Sequence, residues 1–564
     1  MKASISAQLL DRHATFGELL RYLRRRAGLT QTELSIAVGY SDAQISRLEQ
    51  NLRLPNKSAI EDRFLPALGL KNEPVASERL LRLASVAQVQ KADAAIELPA
   101  DMKPPSIAVM PFLNLSADPD NDYFCDGLAE ELLTSLTKIK NLFVVARTSA
   151  FSFKGKGLDA REIGQRLNVD TILEGSVQQS GERLRVSVQL IDADTGFQIW
   201  SERFDRRMHD LFALQDEITL AIIQQLKIEL LEKEKRALLD RHQGSLEAYN
   251  LYLKGRFLWA QRPHGIPKAI EYFQEAIEQD PKSALARAGL ADCYVTLGSW
   301  ENGTLPPLLA MAKAKKAATK ALELDPRLAE AHASLAYRTT HHDWDWPTAE
   351  AQFRRAIELN PNYAVAHHWY SHFLTALGRT EESLSASQRC LELDPLDLVI
   401  NYHMAWHYHR AKQYAEAVEH CGRAGQLHPS SFWLPFFLGL AYQQLGQVAA
   451  ATTEFEKSIA MSGNVTFTMA GLGHLYGSTG RQAEARVIYQ ELRSRAAQTY
   501  VPAFDLALLC IGLDWKDEAF EWLDKACEER SSWMSYLRVE ARLDTLRSDP
   551  RFDELLRRVR LLPV

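Results

Sequence analysis

Hydrophobic positions near the start of the chain recur at helical spacing. They predict an amphipathic helix over residues 15–26. Its apolar face is formed by Phe16, Leu19, Leu20 and Leu23. Thr30 and Glu33 form a capping-box pattern that begins a second helix, and Gly39 supplies the turn before a third helix over residues 42–50. Two short helices joined by a tight glycine-containing turn are typical of a helix-turn-helix, whose second helix enters the major groove of DNA.

A different pattern follows between residues 106 and 235. Short apolar or alternating runs predict five strands, at residues 107–112, 142–146, 171–179, 184–192 and 198–204. Helical patterns separate or follow them, at residues 126–138, 160–167 and 216–230. This order predicts an α/β domain, a small sheet with helices packed on it. The Ala-rich residues 71–105, which end in two prolines, are predicted to be a linker.

The second half of the chain repeats one pattern over residues 248–530. A column of small residues recurs at intervals of 45, 35 and then five times 34, at Ala269, Ala314, Ala349, Ser383, Ala417, Ala451, Ala485 and Ala519. Small side chains let helices approach closely, so the period predicts an α-solenoid of about eight helix pairs. Residues 531–564 are predicted to be a solvating C-terminal cap. The fold class expected is therefore multidomain and mainly α.

Charge modifies this picture. A formal net charge of −6 argues against nucleic acid as a partner. Residues 1–70, however, hold ten Lys and Arg against seven Asp and Glu, a net +3, so the remaining residues carry −9. Any affinity for DNA is therefore expected in the first 70 residues.

Cysteine usage and hydropathy bear on the compartment. The six cysteines form no C-x-x-C pair, which favours reduced thiols in a cytosolic protein. The N-terminus lacks the apolar core of a secretory signal, and the uncharged stretch 430–453 is interrupted by glutamines. We expect a cytoplasmic bacterial protein that contacts no membrane.

The head carries a family resemblance. Its Gly28-Leu29-Thr30-Gln31 and Ile45-Ser46-Arg47-Leu48-Glu49 segments closely resemble the XRE/Cro-type DNA-binding domain. The resemblance implies that the third helix reads bases, with DNA contacts from Gln31, Ser41, Asp42, Ala43, Gln44, Ser46 and Arg47. Arg47 suits guanine and Gln44 suits adenine, whereas Asp42 either accepts from cytosine or caps the helix, and we favour the cap. The alternative is a helical bundle that does not bind DNA.

The middle domain resembles the TolB amino-terminal-like domain. The segments ILEGSVQQSGERLRVSVQLIDADTGFQIWSERFD and FALQDEI carry the resemblance, which implies an accessory domain found in transcriptional regulators and in proteins labelled adenylate cyclases. Asp118, Asp120, Asp122 and Asp126 look like a calcium loop but lack its glycine and its bidentate glutamate, so turn and capping roles are favoured. The glycines and lysines of residues 154–157 do not form a phosphate-binding loop. We expect no catalytic residue and no enzyme activity.

The repeats resemble tetratricopeptide repeats, which implies a groove for a protein or peptide. The residues expected to line it are Arg338, His368, His372, Tyr402, Trp406, His409 and Phe436. Two i, i+4 histidine pairs, His368/His372 and His403/His407, could chelate a metal, but they differ by one place in repeat register. We therefore expect their faces to diverge, and we favour packing or an aromatic peptide groove, with no metal and no cofactor.

Together these patterns predict a sequence-specific DNA-binding transcriptional regulator. Its partners would be a double-stranded DNA operator, bound by a possible homodimer, and a protein or peptide held by the array. The alternative is an interaction scaffold whose head does not bind DNA.

Overall fold

The protein divides into two compact units, Met1–Pro104 and Pro105–Val564. The structure, a computed structural model, describes residues 15–38, 45, 48–49, 60–70, 73, 75–77, 79–81, 83, 104–116, 118, 121–228, 230, 245–259, 261, 264–299 and 305–562.

The first unit begins with the two predicted helices. Helix α1 spans Phe16–Ala27 and starts at a complete capping box between Thr15 and Glu18. It ends at Gly28, whose φ of 79° is the left-handed conformation that glycine adopts without strain. Helix α2 spans Gln31–Val38.

The start of α2 confirms the predicted capping box. The Glu33 amide donates to Thr30 Oγ1 at 3.1 Å, and the Thr30 amide donates to Glu33 Oε2 at 2.8 Å. Two backbone donors at the helix start are thereby satisfied by side chains.

The core of the first unit extends beyond the predicted head. It contains the four apolar residues of α1 together with Leu34, Val38, Ile45, Leu48, Ile60, Phe64, Leu68, Leu70, Ala76 and Leu80. A short helical segment, Ile60–Phe64 followed by Leu65–Ala67, contributes two of them. The predicted linker from residue 71 is wrong at its start, because Ala76 and Leu80 lie one helical turn apart and both are buried in this core.

The second unit opens with the α/β domain, and its predicted strands are confirmed. The strands are β1 Ser106–Val109, β2 Leu113–Asn114, β3 Phe143–Val144, β4 Thr171–Ser180, β5 Arg183–Asp192 and β6 Gln198–Arg207. Their order is β3-β1-β4-β5-β6, with β2 also pairing β4. Strand β1 pairs in parallel with β3 and β4, and β2 pairs in parallel with β4, whereas β4, β5 and β6 form an antiparallel meander.

Helices cover both faces of this sheet. They are α3 Asp122–Thr137, α4 Arg147–Phe151, α5 Ala160–Leu167 and α6 Leu211–Gln225. Helices α3 and α6 pack their apolar side chains on one face, with Phe204 of β6, and α5 packs on the other face, with Ile172 of β4. Because side chains alternate along a strand, successive residues of each strand point into these two different cores.

Among the described residues between 245 and 528, the array has eight helix pairs. They are α7 Leu246–Trp259 with α8 Ile266–Gln279, α9 Ala284–Leu297 with α10 Pro307–Leu324, α11 Ala329–Arg338 with α12 Trp346–Leu359, α13 Ala364–Ala376 with α14 Thr380–Leu393, α15 Leu398–Arg410 with α16 Tyr414–Leu427, α17 Trp433–Gln444 with α18 Val448–Ser462, α19 Thr466–Ser478 with α20 Gln482–Ala496, and α21 Ala503–Gly512 with α22 Lys516–Glu528. We call the first helix of each pair its A helix. The predicted column of small residues lies on the second helices, and every member is buried.

The C-terminal residues fold back over the array instead of only ending it. We call residues 532–546 the return segment; it contains two 3₁₀ turns, Ser532–Tyr536 and Ala541–Leu546. Helix α23, Pro550–Arg558, follows. The indole of Trp346 donates to Val559 O at 3.2 Å, across 213 positions of sequence. The prediction of a solvating cap is wrong for the return segment, because its apolar side chains are buried against A helices.

The α/β domain contacts the array directly. The Ala146 amide donates to Leu393 O at 2.7 Å, and Asn362 Nδ2 donates to Leu142 O at 2.8 Å. The guanidinium of Arg256 lies between Glu130 of the sheet domain, at 3.5 Å, and Asp292 of the array, at 3.1 Å. These contacts are consistent with the single compact unit beyond Pro105. None of the described helices combines the length and the apolar composition that crossing a bilayer requires.

Candidate DNA-binding head and array interior

A buried carboxylate connects the helices of the head. Glu49 accepts hydrogen bonds from Arg24 Nη2 at 3.1 Å, Gln31 Nε2 at 2.9 Å and Arg21 Nε at 3.3 Å. Burial alone would raise the pKa of Glu49, but these hydrogen bonds and the charge of Arg24 outweigh burial, and the pKa is lowered. Glu49 is therefore ionised at neutral pH, and it ties the end of the predicted third helix to α1 and α2.

Close backbone packing fixes the same contact. A Cβ added at Gly17 would lie 2.6 Å from the carbonyl oxygen of Glu49 and 2.7 Å from that of Leu48. Only glycine allows α1 to approach these residues so closely. Ile45 and Leu48 are also buried, so both side chains face the core of the first unit.

The predicted DNA contacts are only partly visible. Gln31 is half-buried at the start of α2, and its amide nitrogen donates to Glu49. Ser41, Asp42, Ala43, Gln44, Ser46 and Arg47 lie outside the described residues. Their base-reading and capping roles remain predictions.

The seven residues expected to line a peptide groove are all buried. Arg338, His368, His372, Tyr402, Trp406, His409 and Phe436 are each at most 8% exposed. Their prediction as an open partner-binding surface is wrong for this structure. They lie on A helices as expected, but other side chains of the chain cover them.

The return segment provides part of that cover. Tyr536 lies against Trp406, with ring centroids 4.9 Å apart, and against His341, at 5.6 Å. The sequence SSWMSYL at residues 531–537 is the signal that sequence reasoning missed, since its large apolar side chains need a partner surface.

A buried charge cluster fastens the same segment. Glu540 Oε2 lies 2.6 Å from Arg410 Nη2, and Arg542 donates to both Glu540 oxygens at 2.9 Å. Burial would raise the pKa of Glu540, but the two guanidinium charges hold it well below its usual value. The carboxylate therefore stays ionised and links an A helix to the return segment.

Three histidines of the two predicted pairs converge. His368 Nε2 lies 2.9 Å from His403 Nδ1, and the rings of His372 and His403 are 4.4 Å apart. The expectation that the pairs diverge is wrong. Neighbouring A helices meet through opposite faces, so residues that touch across α13 and α15 differ in repeat register. A shift of one place, about 100° around a helix, turns His403 toward α13.

The fourth histidine has other partners. His407 Nε2 lies 2.9 Å from Ser371 Oγ, and its Nδ1 lies 2.9 Å from Thr375 Oγ1. Burial, followed by the charges of His403 and Arg410, lowers its pKa well below the usual value. His407 is a neutral, hydrogen-bonded core residue.

The acidic residues of the α/β domain have structural partners. Both oxygens of Asp126 accept from Lys154 Nζ at 2.8 Å. Burial raises the pKa of Asp126, and Lys154 opposes that shift. Asn114 Nδ2 donates to Asp118 O and to Asp122 Oδ1, each at 2.9 Å. Asp120 lies outside the described residues.

The contact between the α/β domain and the array contains a polar site that was not predicted from the sequence. Asp394 Oδ1 accepts from the Ser149 amide at 2.9 Å, and Ser149 Oγ accepts from the Leu396 amide at 2.8 Å. Burial, followed by the charge of Asp397, raises the pKa of Asp394 to about 7. Its sequence neighbourhood, LELDP at residues 391–395, is identical to that at residues 322–326, so no local signal marked it.

Comparison with known families agrees with the three modules. Residues 15–77 match the family "Helix-turn-helix domain", and residues 103–222 match "HilA/YgeH-like transcriptional regulator, second domain". Residues 266–302, 364–395 and 436–464 match tetratricopeptide repeat families.

Individual relatives are similar over part of their length. A putative adenylate cyclase 3 of Rhizobium meliloti (strain 1021) is 38% identical over 243 residues, which are 43% of this chain and 40% of that protein. The transcriptional regulator HilA of Salmonella typhimurium is 29% identical over 169 residues, which are 29% of this chain and 30% of HilA. The chain thus spans less than half the length of either relative.

Two solved structures are similar over part of this chain. The human IFIT1 dimer with m7Gppp-AAAA is 16% identical with a TM-score of 0.35, and covers 62% of this chain and 84% of that one. PilW, described as a widely conserved type IV pilus biogenesis factor, is 17% identical with a TM-score of 0.29, and covers 39% and 97%. The family matches along this chain thus comprise a helix-turn-helix domain, a HilA/YgeH-like second domain and tetratricopeptide repeats.

Proposed function

We propose that this chain is a sequence-specific transcriptional regulator whose XRE/Cro-type head binds operator DNA. The observation that carries the proposal is the buried Glu49, which holds the end of the predicted third helix against α1 and α2. A recognition helix fixed in this way presents its remaining side chains in one orientation, as base reading requires. The match to a helix-turn-helix family and the similarity to HilA support the same conclusion.

Within the head, Arg47 and Gln44 are the proposed base-reading residues. Arginine can donate two parallel hydrogen bonds to guanine, and glutamine can pair with adenine in the same way. Asp42 is proposed to cap the helix. Two copies of the chain are expected on a pseudo-palindromic site, because helix-turn-helix proteins commonly bind as dimers.

The proposal is tested by the affinity of the full chain for a duplex selected from random sequences. Arg47→Ala should cost about 1–3 kcal/mol of binding at one base position. Arg207→Ala removes the same charge from an exposed position of β6 and should leave affinity unchanged. Equal losses in both variants would indicate that net charge, and not base reading, governs binding.

The array is proposed to bind a protein partner, through a surface other than the seven buried residues. Among the described residues, an open groove of about 530 Å³ includes Tyr370, His367 and Arg389 in its lining. Tyrosine and arginine are both enriched at protein interfaces. A partner that cross-links to the wild-type chain but not to a Tyr370→Ala, Arg389→Ala variant would support this part, and unchanged cross-linking would overturn it.

We further propose that the chain is not an enzyme and that its TolB-like middle domain is an accessory module. The charged residues that could suggest metal chemistry there, Asp126 and Lys154, pair with each other. Similarity to a putative adenylate cyclase makes the direct assay informative. Purified chain with ATP and Mg²⁺ should form no more cyclic AMP than a heat-denatured control.

A further inference from the structure

The three converging histidines form a compact set of nitrogen ligands. The nitrogens of His368, His372 and His403 that could bind a metal all lie within 4.8 Å of one another. Two of the residues are one turn apart on α13, and the third comes from the adjacent A helix α15. We propose that these imidazoles bind a transition-metal ion of the Zn²⁺ class inside the array.

The spacing suits such an ion. Zn–N bonds of about 2.0–2.1 Å in a tetrahedral arrangement place two ligand nitrogens roughly 3.4 Å apart. His368 Nε2 and His403 Nδ1 are 2.9 Å apart as hydrogen-bond partners, so an ion would replace that bond after a ring movement of about half an ångström. The rings of His368 and His372 are already 4.6 Å apart and nearly perpendicular, at 81°.

One buried nitrogen of the cluster makes no hydrogen bond to the described residues. His372 is fully buried, and its Nε2 has no hydrogen-bond partner among the described residues. Leaving a polar atom unpaired in the interior costs about 1–3 kcal/mol. Its Nδ1 lies 3.5 Å from the hydroxyl of Tyr536, the arrangement in which an outer group orients a metal-binding histidine.

The imidazole of His372 is in the protonation state that binds metal. Burial, followed by the nearby His403, His368 and His407, lowers its pKa well below the usual value. It is therefore neutral at physiological pH, with a lone pair available. His407 is excluded as a ligand because hydroxyl groups occupy both of its nitrogens.

A small cleft of the array reaches His368, one of the three proposed ligands. The cleft has a volume of about 40 Å³ and includes His368, Trp369 and Tyr337 in its lining. That volume is sufficient for at least one water molecule. Three protein ligands plus one solvent position is the arrangement of histidine-rich zinc sites that remain open. Hydroxide or another small anion in that position would offset part of the buried positive charge.

The ligand set also selects the metal. Imidazole nitrogens without a carboxylate favour Zn²⁺, Co²⁺, Ni²⁺ or Cu²⁺ over Ca²⁺ and Mg²⁺, which require oxygen ligands. Glu540 lies in the same interior, but Arg410 and Arg542 already engage its carboxylate.

The test is a Co²⁺ titration of the tag-free, full-length chain after treatment with a chelator. We expect one equivalent to produce the visible absorption of four-coordinate Co²⁺, and one equivalent of Zn²⁺ to abolish it. His372→Gln and His403→Gln should remove the absorption. His474→Gln, which replaces a buried histidine of α19 outside the cluster, should retain it. Tyr536→Phe should weaken binding by about 10-fold to 100-fold.

Two results of the titration would overturn the proposal. One is a wild-type chain that shows no saturable absorption at one equivalent. The other is an absorption that survives in both ligand variants, which would place the metal elsewhere. Because the glutamine variants could fail to fold, the melting temperature of the wild-type chain is measured with Zn²⁺ and with Mg²⁺. Only Zn²⁺ should raise it, and equal effects of the two ions would also contradict the site.

Discussion

The phenol ring of Tyr536 packs edge-on against the indole of Trp406, with centroids 4.9 Å apart and planes at 84°. Both side chains are fully buried, and 129 residues separate them in the sequence. This contact joins the return segment to the A helix α15. It explains why the surface expected to hold a peptide is closed.

The first prediction concerns this contact. Tyr536→Ala should lower the free energy of unfolding of the array by about 3–5 kcal/mol, because it removes a large buried ring and leaves a cavity. Phe197→Ala, at an aromatic side chain that is 75% exposed, is the control and should change stability by less than about 0.5 kcal/mol. Urea denaturation followed by circular dichroism measures both. A change below about 1 kcal/mol for Tyr536→Ala would show that the return segment does not hold the array together.

The second prediction concerns the buried charges of Arg410, Glu540 and Arg542. Glu540→Gln should destabilise the chain by about 3–5 kcal/mol, because two guanidinium groups lose their buried counter-charge. The triple variant Arg410→Met, Glu540→Leu, Arg542→Met should be less destabilised than the single one. The pKa of Glu540 is lower in the folded chain than the value of about 4.3 expected in the unfolded chain. The stabilisation of the folded chain by ionised Glu540 is therefore complete above a pH of about 4.3 and is lost as the pH falls through the folded pKa. A single variant as stable as the triple variant would contradict this account.

The third prediction concerns the packing of the head. Gly17→Ala should weaken DNA binding and destabilise the first unit by about 1–3 kcal/mol, because the new methyl group would collide with the backbone of Leu48 and Glu49. Gly422→Ala is the same substitution at a helical position with open space around it, and it should stabilise the array by roughly 0.5–1 kcal/mol. Thermal unfolding and anisotropy titration measure the two effects. Tight DNA binding by the Gly17 variant would refute the proposed role of this contact.

The fourth prediction concerns pH and Asp394. The pKa of Asp394 is about 7 in the folded chain and about 3.9 in the unfolded chain. The contribution of protonated Asp394 to folding stability is therefore complete below a pH of about 3.9 and is lost as the pH rises through about 7. Asp394→Asn keeps an acceptor for Ser149 and cannot ionise. The urea midpoint should therefore fall less for the variant than for the wild type between pH 5 and pH 8. Asp292 and Asp505, with raised pKa values of about 6 and 7, contribute equally to both chains. Identical falls in midpoint would exclude Asp394 as the cause.

Local patterns predicted the elements of this fold. The predicted capping box at Thr30 rests on residues three positions apart, and the strands β4 and β5 alternate between two cores. The small residues of the array repeat at a fixed period. Each of these signals lies within a short window of sequence, where periodicity and capping chemistry are informative.

Contacts between distant segments were not predictable in the same way. The apolar Trp533 and Tyr536 indicate burial but do not specify which helices cover them. Likewise, His403 lies one place away from the repeat position of His368, so the two side chains were expected to point in different directions. That expectation compared the same face of each helix. Adjacent A helices meet through opposite faces, and the two side chains therefore touch. Which residues meet across 30 or more positions depends on packing of the complete array.

The central claim, that the head reads DNA sequence, is tested most directly by selection from random duplexes with the full-length chain. The account predicts enrichment of a motif with two related half-sites, and loss of preference at one base of each half-site in Arg47→Ala. Recovery of no motif, with equal retention of all sequences at physiological salt, would contradict it and favour an interaction scaffold.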